Sequence, residues 1–127
     1  MSSDEIKDRL KELNAEDFIW IIYIFIIILS TYSNGLERKY FVNKDNEAKD
    51  KYRRIIIFIF LVLVIVYAYF LKDSVDSLRS LKENDTNKKK RLTYLSFIAS
   101  FLIFVSGLIF LYIALEDEDI NIELAFS

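Results

Sequence analysis

Three clusters carry the polar chemistry of this chain. They are the basic run Lys88-Lys89-Lys90-Arg91, the acidic run Glu116-Asp117-Glu118-Asp119, and a series of small side chains at helical spacing: Ser96, Ser100, Ile103, Gly107 and Ala114. Four adjacent cations beside an apolar segment suit anionic lipid headgroups, each base gaining about 1 kcal/mol near such a surface. No aromatic residues are interleaved with them, and the net charge is −2, so nucleic acid is not an expected partner. In the acidic run, Asp117, Asp119 and Asn121 imitate the opening of a calcium-binding EF-hand loop. Ile122 occupies the position where that loop needs glycine, so the match fails. A ring of such carboxylates would attract cations to a pore mouth in an oligomer; a solvated tail explains them as well. The small-residue series could line a narrow polar pore, but small residues equally let membrane helices approach closely, and a packing face is the expected role.

What is missing narrows the chemistry further. With no histidine and no cysteine, the chain lacks the usual general base, the soft metal ligands and the most reactive nucleophile. Two glycines cannot build a phosphate cradle. The apolar segments hold no paired carboxylates for an intramembrane aspartyl protease. They hold none of the ionisable groups or helix breaks on which coupled transport relies either. No enzyme activity, metal or cofactor is expected.

The elements that must position these clusters follow from how charge is distributed. Apolar residues make up 54% of the 127, yet 28% are charged, and the two kinds are segregated. Phe18 to Ser33, Ile55 to Leu71 and Leu92 to Leu115 contain no Asp, Glu, Lys or Arg. A charge at the centre of a bilayer costs about 2.5–3.5 kcal/mol, so this segregation is what hydrocarbon selects. At about 1.5 Å per residue the blocks reach roughly 24, 26 and 36 Å against a core of about 30 Å. The expected fold is all-α: an integral membrane protein with three transmembrane helices at about 18–36, 53–71 and 92–115 and a tail at 116–127, forming a single membrane domain over 1–127.

Finer features refine this picture. Ser2 and Glu5 make a capping box, and Ile6, Leu10 and Leu13 form a narrow stripe. They predict a short N-terminal amphipathic helix over 2–16, on the membrane surface, on the bundle or free in solvent. The first block is expected to be a retained anchor, because its flank is acidic and lacks a small-residue cleavage pattern. Asn34-Gly35 reads as a turn after the first span. From Lys44 the pattern is helical again, so the second helix is expected to begin outside the membrane. Leu71, Val75, Leu78 and Leu81 predict that it also continues beyond the membrane to about Leu81. Asn84 to Asn87 then breaks it, with Thr86 or Asn87 capping the third helix. Trp20, Tyr23, Tyr32, Tyr67, Tyr69, Tyr94 and Tyr112 fall near block ends, as an interfacial belt requires.

The N-terminus and second connection together hold ten Lys/Arg; the first connection and tail hold seven. The positive-inside rule therefore places the N-terminus in the cytoplasm and the C-terminus outside the cell membrane. In the tail, Ile120, Ile122, Leu124 and Phe126 alternate with Asn121, Glu123 and Ala125. That is the pattern of a strand, which would need an edge supplied by another copy or a partner; a helical continuation or a disordered end fits too. The function this suggests is a small non-enzymatic membrane protein acting through helix packing, as a homo-oligomer or with a partner membrane protein. The alternative is a small homo-oligomeric pore-former, either a membrane-disrupting effector or similar in size and span number to phage holins. Those commonly end in a basic tail, unlike this one.

Overall fold

A computed structural model of the chain describes residues 2–116. Three α-helices account for nearly all of them: α1 (Ser3–Asn43), α2 (Asn46–Arg79) and α3 (Asn87–Glu116). Each is long and apolar enough to cross a membrane. No strand occurs among the described residues. At about 1.5 Å per residue the helices measure roughly 61, 51 and 45 Å, so all three exceed a hydrocarbon core of about 30 Å. The chain divides into two compact units, Met1–Ile55 and Ile56–Ser127.

In the first unit, α1 corrects two expectations. The amphipathic segment 2–16 is not a separate helix, and Asn34-Gly35 is not a turn; one helix of 41 residues runs through both. Glycine inside a helix costs only about 1 kcal/mol relative to alanine, and no side chain at 34–35 offers the backbone alternative partners. Gly35 keeps a negative φ and packs closely against nothing. At the other boundary, Asn14 to Phe18 contains a change of polarity but no helix breaker. Continuity also means that residues 2–16 cannot lie flat on a membrane that the rest of an unkinked α1 crosses.

α1 starts where Ser2 Oγ accepts a hydrogen bond from the Glu5 N–H at 3.2 Å. It ends at Lys44, whose φ of 53° is left-handed, the usual conformation just past a helix C-terminus. Asp45 Oδ1 then accepts from the Glu47 and Ala48 N–H groups at 3.1 and 3.4 Å and opens α2. Lys49 Nζ sits 5.2 Å from the Tyr40 ring centroid across this turn. Buried positions on α1 recur at seven-residue steps, Ile19, Ile26 and Ser33, followed by Leu36; Ala48 and Tyr52 are buried on the first turns of α2. A step of seven keeps one narrow seam in line along a helix.

In the second unit, α2 runs on past Leu71 as its 71/75/78/81 stripe predicts. It closes with a tight turn in which Leu81 N–H donates to the Leu78 carbonyl at 3.2 Å. Ile56, Ile59, Phe60, Leu63 and Val66 are its buried core positions. Ser74, also buried, donates to the Leu71 carbonyl at 2.8 Å, so its hydroxyl needs no outside partner. α3 opens at Thr86, whose Oγ1 accepts from the Lys89 N–H at 3.1 Å.

Candidate functional site

The sequence-singled residues fall on two surfaces: where α2 and α3 meet each other, and where their ends meet solvent. Packing comes first. Gly107 is buried, and a Cβ placed on it would lie 2.9 Å from Cδ2 of Tyr67, 3.3 Å from its Cε2 and 3.5 Å from Cγ2 of Val64. The missing side chain is therefore the space the Tyr67 ring occupies. One turn away, Phe60 and Phe110 stack with centroids 5.6 Å apart and planes 9° from parallel. An aromatic pair of this kind adds about 0.5–1.5 kcal/mol beyond the area it buries.

The small-residue series on α3 does not share one environment. Gly107 and Ala114 are buried and Ser100 is half-buried, whereas Ser96 is exposed and Ile103 is 49% exposed. The less exposed positions include Thr93, Phe97, Ser100, Phe104, Gly107, Leu111 and Ala114, in alternating steps of four and three, with Val105 and Phe110 flanking them. This is the seam of a heptad, and it mixes large and small residues. The sequence placed Tyr67 in an interfacial belt and did not single out Phe60 or Phe110 at all, because within 55–71 and 92–115 no face is marked by charge. Ser106, on the outer face of α3, donates to the Leu102 carbonyl at 2.9 Å and so is satisfied within its own helix.

The basic run lies at the α2–α3 connection, and its four members differ. Lys89 Nζ is 3.3 Å from Asp85 Oδ1. Lys90 Nζ donates to the Glu83 carbonyl at 3.1 Å. Lys88 and Arg91 are exposed and form no ion pair among the described residues. Ser77, Thr86, Lys88, Lys89, Leu92, Thr93 and Ser96 line an open groove of about 440 Å³. The residue organising this corner is Asp85. Its Oδ2 accepts from the Lys82 N–H at 2.7 Å. That backbone bond, above all, holds the Asp85 carboxyl below the usual carboxylate range; desolvation opposes the shift, and the Lys89 ammonium adds to it. Asp85 and Thr86 thus bond backbone N–H groups on both sides of the break.

At the far end of α3, Glu116 is the last described residue. The rest of the acidic run and the tail positions Ile120, Ile122, Leu124 and Phe126 lie outside the described residues. No group of His, Cys, Asp or Glu suited to a metal ion occurs among the described residues. No family model, curated protein or solved structure matches the chain.

Proposed function

We propose that this chain is an integral membrane protein crossing the bilayer three times, acting without catalysis through helix packing, as an oligomer or as an accessory subunit of a membrane complex. The observation that carries the membrane reading is where the apolar side chains face. Only 11% of the most apolar window of α1 and of α3, and 28% of that of α2, is buried. On α1, Phe18, Trp20, Ile24, Phe25, Ile27 and Ile28 are each more than half exposed. Water would penalise that surface by roughly 25 cal/mol per Å², and soluble monomers rarely expose apolar patches beyond a few hundred Å². Lipid removes the penalty.

The packing reading rests on the absence of Asp, Glu, Lys and Arg from the three apolar blocks and on the close approach at Gly107. The distribution of Lys and Arg supports a cytoplasmic N-terminus and α2–α3 connection with an external C-terminus. Lys88 to Arg91 would then sit at the inner headgroups. The test is induced expression followed by carbonate extraction, with a membrane-potential dye in the same cells. Retention in the pellet, an unchanged potential and a defined oligomer or co-purifying membrane partner are expected. Release by carbonate would overturn the membrane assignment, and rapid depolarisation would replace the packing module with a pore.

A further inference from the structure

We infer that the N-terminal arm of α1 docks on the basic α2–α3 connection of a second copy of this chain. The inference rests on the membrane reading above, which puts both segments on the same side of the bilayer because two spans separate them.

The arm is a helix with an uncovered apolar stripe. Ile6, Leu10 and Leu13 are 45%, 53% and 38% exposed. They share one face, and Glu5, Glu12 and Glu16 fall along one edge of it. Residues 2–17 hold six acids against three bases, and Arg9 pairs with Glu12 at 2.9 Å. Unlike the apolar blocks, this stripe stands in water, where lipid does not cover it.

The connection is complementary. Residues 72–91 hold seven bases against four acids. Its groove sets one aliphatic side chain, Leu92, itself 50% exposed, beside Lys88, which has no ion pair among the described residues, and Lys89, which is paired with Asp85. Heights agree as well. For upright helices, Leu13 and Leu10 stand about 8 and 12 Å beyond the apolar block at Phe18. Lys88 stands about 6 Å beyond Leu92, and Leu78 about 10 Å beyond Leu71. Two other occupants fit less well. A second arm would bring like charges together, and anionic headgroups would repel an acidic helix.

The absence of cysteine makes the test direct. Two differently tagged full-length copies, one carrying Leu10→Cys and the other Ser77→Cys on the exposed rim of the groove, are co-expressed and treated in native membranes with a short bis-maleimide. An adduct bearing both tags is expected. It should be lost with Glu5→Lys and Glu16→Lys in the arm, and regained when Lys88→Glu and Arg91→Glu are added to the partner copy. All four positions are exposed, so folding is not at stake. No mixed adduct, an adduct indifferent to arm reversal, or a Leu10–Leu10 adduct in its place would overturn the docking. Carbonate extraction of the same membranes separates the two failures: protein retained without adduct defeats only the docking, whereas released protein defeats the membrane reading.

Discussion

Gly35 and Gly107 are the chain's two glycines, both inside helices, where each gives up about 1 kcal/mol relative to alanine. Around Gly35 a Cβ would meet nothing within 4 Å, while at Gly107 it would strike the Tyr67 ring at 2.9 Å. A similar contrast separates two Asn-containing turn signals. α1 passes through Asn34-Gly35 unbroken, whereas Asn84-Asp85 lies in a non-helical stretch between Arg79 and Asn87. The second site bends because side chains there offer the backbone other partners: Asp85 accepts from Lys82 N–H and Thr86 from Lys89 N–H. Weak helix formers alone do not end a helix; competing hydrogen bonds do.

The comparison breaks most visibly at Gly107. Gly107→Leu must push α2 and α3 apart or force Tyr67 aside, and overpacking of this kind costs about 1–3 kcal/mol. A thermal melt in detergent should show a clear loss for Gly107→Leu and, for Leu108→Ile on the more exposed neighbouring face, a change under about 1 kcal/mol. Equal melts would remove the special role of Gly107.

At the α2–α3 break the expected effect is intermediate. Thr86→Ala removes the N-cap of α3 and should cost about 1 kcal/mol, read as greater amide exchange over 87–90. Asp85 adds a pH dependence. Because folding lowers its pKa, its contribution is complete above the ordinary carboxylate range and is lost as pH falls through the lowered value. The exchange at this corner should rise on acidification, and Asp85→Asn should abolish that step.

Gly35→Ala gives the smallest change, and with opposite sign. With open space at the Cβ and a helical backbone, alanine should stabilise α1 by about 0.5–1 kcal/mol in the same melt. A destabilised Gly35→Ala variant would mean that the glycine serves a close approach after all.

Much of the architecture was legible from residues alone. Three charge-free runs, the pattern a hydrocarbon surrounding would select, correspond to three helices that are each long and apolar enough to cross a membrane. The cap at Ser2, the choice of Thr86 or Asn87 at α3, which the structure decides for Thr86, and the extension of α2 beyond Leu71 were readable too, since each rests on bonds or spacing local in the chain. The first boundary was misread at Asn34-Gly35 because composition there resembles a turn. The actual stop depends on Lys44 adopting a left-handed conformation and on Asp45 capping the next helix.

What tertiary structure alone decided is which face of α3 turns inward. In a soluble helix the polar side marks the outside, so periodicity reveals the core. α3 is apolar all round, and polarity carries no such mark when the surroundings are apolar as well. Ser96 and Ile103 therefore looked equivalent to Gly107 and Ala114 by spacing, yet only the latter two are buried. Packing settled it: the Tyr67 ring needs the space that a glycine leaves, and the Phe60–Phe110 stack fixes the neighbouring turn.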